Sequence, residues 1–341
     1  MPAEWESHAA TWLSWPRREG ISFPDSFDRV LPTLREMVGA LTESEPVCIN
    51  VINGAHEAEA RAVLDGLPRQ ECITYYEIPT NEPWCRDHGP IFLTRDADPK
   101  SATGRGELAV VDWDYNAWGN KYPPFDLDEV VPTRVAAILK LPVFYPKMVL
   151  EGGSIDVNGA GTLLTSESCL LNKNRNPALS RDEIEQRLRD FLGVKEILWL
   201  GDGIEGDDTD GHIDDLARFV SATKVVTVVE EDSDDANYEP LQENLVRLRG
   251  MKIGGRKIEI ATLPMPKRII REDQRMPASY ANFYIANSVL LVPTFADPAD
   301  KIALSILGKC FPKRRVIGID CRELIWGLGT FHCLTQQQPA I

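Results

Sequence analysis

Apolar residues along this chain fall into short runs of period two and longer runs of period 3.6, and the two kinds alternate almost from end to end. The run ATWLSWP at 10–16 predicts a strand, and Phe27 to Leu41 a helix. VCINVIN at 47–53, a helix over 55–66 and ITYYEIP at 73–79 continue the alternation. EPWCRDHGP then breaks regular structure with two prolines and a glycine. Beyond it IFLT and LAVVDW, separated by a polar, glycine-containing loop, predict paired strands. The turn-rich NAWGNKYPP, a helix near 129–140 and the strand VFY follow.

From residue 154 the order itself repeats. SIDV and GTLLTS, split by Asn158-Gly159, predict a hairpin. Ser180 opens a helix with a capping box completed by Glu183 and a hydrophobic staple between Leu179 and Ile184. Ile184, Leu188 and Phe191 keep helical spacing, and EILWL is the next strand. The same order recurs as LARFV, KVVTVVE, a helix near 238–249 and IEIATLP, then as YANFYIA, VLLVP, a helix opened by Asp297-Pro298 and RRVIGI. Helix starts at Ser180, Asn237 and Asp297 lie 57 and 60 residues apart. That period exceeds the common solenoid repeats, but repetition in fixed order predicts a ring or array of similar units.

Strands 90–94 and 108–113 with the helix near 129 make one more unit. The N-terminal strand and helix, closed by the C-terminal strand, make a fifth. In a ring, equivalent positions face one another at one end of the axis. Asp87, Glu151 and His212 each stand just before the first strand of a unit, and Cys333 stands where the last unit meets the first. Residues far apart in sequence would then converge.

Composition narrows the function. The 341 residues suffice for a large core, as one big domain or two ordinary ones. Lys plus Arg number 37 against 52 Asp plus Glu, a net charge of −15. This argues against a nucleic-acid or anionic-membrane partner and suits a cationic ligand. No apolar run reaches the length of a membrane span. The opening MPAEWESHAATW carries acids where a secretory signal needs a basic segment and an apolar core. Seven cysteines, an odd number in no paired metal-ligand spacing, fit reduced cytoplasmic thiols better than a disulfide framework.

Four stretches carry candidate chemistry. In GLGTFHCLTQQQP, Gly327 and Gly329 leave open the approach to the pair His332-Cys333. A thiolate there is a strong nucleophile if neighbours lower its pKa from about 8.5; the alternative is an inert cysteine in a C-terminal strand. EPWCRDHGP crowds Trp84, Arg86, Asp87 and His88 into one turn, a desolvated ion site or a solvated turn. LEGGSIDV places Glu151 between an apolar strand and a double glycine, where a partner for a histidine, or a plain strand-ending turn, would sit.

The fourth stretch, GDGIEGDDTDGHIDD, packs seven acids around His212 in fifteen residues. A calcium loop fails there, because Gly206 and Ala217 would fall where carboxylates are needed. A divalent-metal hydrolase using His212, Asp210 and Asp214 is one reading. The other places His212 and Asp214, two residues apart on extended backbone, in one pocket. With no nucleotide motif, a cysteine, a histidine and carboxylates together point to nucleophilic catalysis on a cationic group.

These stretches resemble the agmatine deiminase family, related to the bacterial-type peptidyl-arginine deiminases within the guanidine-modifying superfamily. The resemblance spans nearly the whole chain, through MPAEWESH with TWLSWP, W-x-RDxGP, NAWGNKYPP, EGGSIDV, LLNKNRNP, DDTDGHIDDLARF, ASYANFYIAN and HCLTQQ. It implies a single catalytic domain of five ββαβ-type units, a five-bladed pseudo-fivefold α/β propeller (pentein fold). It implies that Cys333 attacks the guanidinium carbon, that Asp87 and Asp214 grip the guanidinium nitrogens, and that His212 protonates departing ammonia and then activates water. Glu151 would orient His212, and Trp84 and Trp118 would line the substrate site. The implied activity is hydrolytic deimination of agmatine, with deimination of free or peptidyl arginine, or non-catalytic guanidinium binding, as alternatives. No cofactor or metal is implied, the partner is a small cationic guanidino compound, and a homo-oligomer is compatible. One departure stands out: Leu328 divides a glycine run that in the family is often continuous, and Phe331 directly precedes the His-Cys pair.

Overall fold

The computed structural model describes residues 1–95 and 106–341. Most of the loop predicted between IFLT and LAVVDW lies outside the described residues. Among the described residues the chain is a mixed α/β structure of five sheets of three or four strands with helices packed against them, plus two two-stranded ribbons, Lys252–Ile253 with Arg256–Lys257 and Ile270–Arg271 with Gln274–Arg275.

Four of the sheets share one plan. An antiparallel pair is followed by a helix and then by a third strand lying parallel to the second. Ile91–Arg95, Glu107–Val111 and Val143–Phe144 form the first such sheet, with the helix Val131–Leu139 between its last two strands. Ile155–Val157, Thr162–Ser166 and Glu196–Leu200 follow around the helix Arg181–Leu192. Ala217–Ser221, Lys224–Val229 and Glu259–Pro264 surround the helix Tyr238–Gly250. Tyr284–Ile285, Val289–Thr294 and Arg315–Asp320 surround the helix Ala299–Cys310.

The remaining sheet joins the two ends of the chain. Thr335–Pro339 pairs antiparallel with His8–Ser14, which runs parallel to Val47–Val51, and Ile73–Glu77 adds a fourth strand. The polar run TQQQP is therefore a buried strand. Two of its side chains find partners there: Gln338 Oε1 accepts from Trp12 Nε1 at 2.9 Å, and Thr335 Oγ1 donates to Phe331 O at 2.8 Å. Among the described residues Gln336 Oε1 and Gln337 Oε1 are buried without a hydrogen-bond partner, so it is the backbone pairing with His8–Ser14 that closes the sheet, against a cost of roughly 1–3 kcal/mol for each unpaired group. The sheets remain separate, and among the described residues no single sheet closes on itself.

Local sequence explains most elements. Ser180 and Glu183 form the capping box at the helix Arg181–Leu192, and Ile184, Leu188 and Leu192 form its buried stripe. Asn237 does not cap its own helix; its Oδ1 accepts from Glu205 N instead, at 2.7 Å. Strands such as VCINV and TLLTS are buried throughout, because helices or neighbouring sheets cover both faces. Each large apolar side chain so buried contributes about 1.5–3 kcal/mol. Among the described residues no helix is long and apolar enough to cross a membrane.

Candidate active site

Each sheet begins at a short turn, and the candidate residues sit on these turns. The one-turn helix Cys85–His88 precedes Ile91–Arg95, and the 3₁₀ turn Gly152–Ser154 precedes Ile155–Val157. The 3₁₀ turn Ile213–Asp215 precedes Ala217–Ser221, and the one-turn helix Phe331–Leu334 precedes Thr335–Pro339. The fifth sheet contributes Asn282, two residues before Tyr284. His212 and Asp214 thus stand on a tight turn rather than on extended backbone. The turn still draws them together, with His212 Nδ1 4.0 Å from Asp214 Oδ1 and 3.7 Å from Asp87 Oδ1.

Gly153 makes this convergence physically achievable. A Cβ there would lie 2.6 Å from His212 Nδ1, 2.7 Å from Asp87 Oδ1 and 3.0 Å from Asp214 Oδ2. Its N–H instead donates to Asp87 Oδ1 at 3.0 Å, while Trp118 Nε1 donates to Asp87 Oδ2 at 3.0 Å. Cys333 Sγ lies 3.0 Å from Asn282 Nδ2 and 3.6 Å from Asp214 Oδ2. Gly329 sits against the same sulfur, where a Cβ would be 3.2 Å from Sγ and 2.7 Å from Trp84 Cζ3. Trp84 makes no hydrogen bond to these acids; its Nε1 donates to Ser22 Oγ at 2.8 Å and its ring forms a wall. Leu328 occupies the left-handed region at φ 68°, where a side chain is strained and glycine is not.

A cavity of about 200 Å³ opens onto Cys333 and Asp87 and is lined by Trp84, Trp118, Tyr122 and Trp326. Farther along, Glu82 and Asp208 are acids on its wall, and no lysine or arginine lines it among the described residues.

The charges are set by burial and by one another. Burial pushes Cys333 well above the ordinary thiol range, and Asp214, Asp215 and Asp87 add to the rise. Burial raises Asp87 to about 6, against the pull of His212. Burial would lower His212, but Asp87, Cys169 and Asp214 outweigh it and hold the imidazole protonated, well above its usual value. Asp214 goes the other way: burial opposes ionisation, yet the hydrogen bond and charge of His332 bring it below the usual range. The site thus holds a thiol, an imidazolium and two unlike carboxylates.

Glu151 sits under His212, but its direct partner is one that sequence reasoning missed: Arg175 Nε donates to Glu151 Oε1 at 2.7 Å. Glu151, Cys169 and His212 bring donor atoms within 4.8 Å of one another. The guanidinium on Glu151 and the proton on His212 both work against a metal there. The triad His212, Asp210 and Asp214 does not assemble, because Asp210 turns to Lys121 Nζ at 2.8 Å and Asn174 Nδ2 at 2.9 Å. The acid-dense loop has a structural role instead. Asp207 accepts from Thr209 N, Gly211 N and His212 N, folding the turn that presents the imidazole. Asn282, Glu4 and Arg175 lie in the stretches ASYANFYIAN, MPAEWESH and LLNKNRNP but in no cluster that marks a reactive site, and the repeated position before a strand is the signal that could have found Asn282.

A buried thiol, a histidine and paired carboxylates at the shared ends of repeated sheets are an arrangement able to support nucleophilic chemistry on a cation. The sequence model of the Porphyromonas-type peptidyl-arginine deiminases matches residues 1–339, and the chain belongs to that family. It is 37% identical over 341 residues to the Legionella pneumophila (strain Paris) protein named "Putative agmatine deiminase", covering 99% of this chain and 95% of that protein. The solved agmatine deiminase of Enterococcus faecalis is similar at 34% identity and TM-score 0.90, over 99% of this chain and 95% of that one. A Cys-to-Ser variant of the C. jejuni agmatine deiminase, solved with substrate bound, is similar at 32% identity and TM-score 0.89, with the same coverage.

Proposed function

We propose that the protein hydrolyses agmatine to N-carbamoylputrescine and ammonia through a covalent intermediate on Cys333. The observation that carries this reading is the cavity itself. A guanidinium stays protonated in water, and the floor of the cavity offers it the Asp87 carboxylate and the Cys333 sulfur, with the buried Asp214 carboxylate 3.6 Å behind that sulfur. The wall beyond offers acids and, among the described residues, no cation. A second positive charge, as on agmatine, is favoured there; the α-carboxylate of arginine would meet Glu82 and Asp208 without a basic partner.

In this reading Asp87 and Asp214 hold the guanidinium in a planar fork, with its carbon beside Cys333. Burial and the charges of Asp214, Asp215 and Asp87 keep the thiol protonated; the arriving cation offsets the carboxylate charge, so Cys333 ionises on binding and gives its proton to solvent. Sulfur adds to the carbon to give a tetrahedral adduct. His212 passes its proton to the departing nitrogen, ammonia leaves, and an S-alkylthiouronium remains on Cys333. His212, now neutral, takes a proton from water, whose oxygen adds to the carbon. The C–S bond breaks, the hydroxyl proton of the adduct passes to the sulfur as the C=O bond forms, and the ureido product leaves; the proton first given to solvent balances the released ammonia as ammonium. Glu151, fixed by Arg175, keeps a carboxylate oxygen within 4.8 Å of a His212 ring nitrogen, in place to orient the imidazole, while Trp84 and Trp118 exclude water from the fork.

The repeated turns also support reading the five sheets as blades about one axis, forming one catalytic domain with the site at the end where the turns meet. Cys333 and the six other cysteines are all unpaired, which fits a reducing cytoplasm. Ammonia release from agmatine, free arginine and an arginyl peptide tests the assignment. Agmatine is expected to have the highest kcat/KM; a higher value for either arginine substrate would overturn it.

A further inference from the structure

Asp214 is held from behind. His332 Nδ1 lies 2.7 Å from Asp214 Oδ2, and His332 Nε2 lies 2.8 Å from Glu4 Oε2. All three residues are buried. Glu4 is fixed in turn, accepting from Ile285 N at 2.8 Å and Arg218 Nη2 at 2.7 Å, with Arg86 Nη2 at 3.6 Å. Arg218 is itself anchored on Phe283 O at 2.9 Å and faces Asp156 at 3.5 Å. At the other end, Asp214 Oδ1 is buried without a hydrogen-bond partner.

We propose that His332 and Glu4 are positioning residues for the reaction: they lock the rotamer of Asp214 so that its Oδ2 is used up and its Oδ1 is free for the substrate guanidinium. The chain of contacts links residue 4 to residue 333 across the sheet that joins the two ends of the protein. It makes the N-terminal segment part of the site's geometry. A carboxylate with both oxygens unpartnered would rotate, or share the charge of His212, and a planar fork would lose one prong.

The inference rests on Asp214 as a guanidinium ligand, and the experiment separates the two. An asparagine amide nitrogen falls near the position of histidine Nδ1, whereas a glutamine amide falls near Nε2. His332→Asn keeps the donor to Asp214 and gives up Glu4; His332→Gln does the reverse. His332→Gln is expected to raise KM for agmatine roughly ten- to a hundredfold, the loss typical of one hydrogen bond to a charged group, with a smaller effect for His332→Asn.

The pH profile adds a readout that a merely structural role would not move. His332, His212 and Arg218 favour the Asp214 carboxylate, whereas Asp87, Asp215 and Cys333 oppose it. Removing the His332 donor raises the Asp214 pKa, so its charge is lost at higher pH. The acidic limb of kcat/KM then steepens as Asp214 protonates alongside Asp87. Should His332→Gln fail to fold, Glu4→Gln carries the test, with a few-fold rise in KM and the same steepening. Equal losses in the two His332 variants, a larger loss in His332→Asn, or an unchanged acidic limb in the folded variants would overturn the clamp. Asp214→Asn is the control: if it leaves KM unchanged, the reading of Asp214 as a ligand fails. If Asp214→Asn raises KM while His332→Gln does not, the clamp alone fails.

Discussion

Asp87 and Asp214 face the same imidazole from buried positions, yet their pKa values move in opposite directions. The difference lies in their second partners. Asp214 has a histidine ring on Oδ2, whereas Asp87 has an uncharged indole N–H and one backbone N–H. Burial raises Asp87 to about 6, and the like charges of Asp214 and Glu151 add to the rise against the pull of His212. Its charge is therefore lost as pH falls through about 6, and kcat/KM for a cationic substrate should fall with it. Asp87→Asn in a Cys333→Ala background keeps the shape and removes one charge-assisted contact, worth about 1.5–3 kcal/mol. Calorimetric titration with agmatine should show affinity weakened roughly ten- to a hundredfold. Unchanged affinity would remove Asp87 from the guanidinium site.

At the scale of elements, the short turns before the first strands do the positioning, and their glycines determine how closely they meet. Gly153→Ala forces a methyl into the space between His212, Asp87 and Asp214 and should abolish activity while the protein still folds. Gly250→Ala, at a helix end with nothing within 4 Å, should leave activity unchanged and stabilise the fold by about 0.4–1 kcal/mol. Chemical denaturation and initial rates on the two variants check both statements. Much of this scale was legible in the chain. Alternating periods predicted the strands and helices to within a few residues, and Ser180 with Glu183 predicted a cap that forms. The turns resisted. Nothing in the local pattern says that Ile213–Asp215 winds into a 3₁₀ turn, because the Asp207 side chain that folds the preceding loop acts across several residues. The closing C-terminal strand was legible, but the burial of its polar TQQQP run was not: among the described residues only Gln338 finds a side-chain partner, in Trp12, and the strand is held by its pairing with His8–Ser14. Asp87, Asp214, His212 and Cys333 were visible as unusual clusters; Glu4, Arg175 and Asn282 were not, because a buried polar residue resembles an exposed one until its partner is known.

The whole molecule carries a net charge of −15 and several buried acids, and its stability should follow their protons. Burial raises Asp87 and Asp112 to about 6 and Asp128 to about 8, and His212 stays protonated well above its usual value. In each case the folded state holds a proton that the unfolded chain has released. Their contribution is present at low pH and is lost as pH rises through these values. The depressed acids Glu4 and Asp214 act oppositely only below the ordinary carboxylate range; His88, which burial lowers to about 4, acts oppositely up to its ordinary value of about 6.5, one group against the raised ones. Between about pH 5 and pH 8, Tm should therefore fall as pH rises, and Asp128→Asn should flatten the decline. A Tm that climbs over that range would contradict the charge assignment. The central claim is chemical, however, and one measurement reaches it directly: rapid acid quench of the enzyme turning over agmatine, followed by peptide mass spectrometry. The account predicts a thiouronium adduct on the peptide carrying Cys333, absent from Cys333→Ala, which should neither turn over nor be labelled. An adduct on Cys85 or Cys169, or turnover that survives Cys333→Ala, would contradict it.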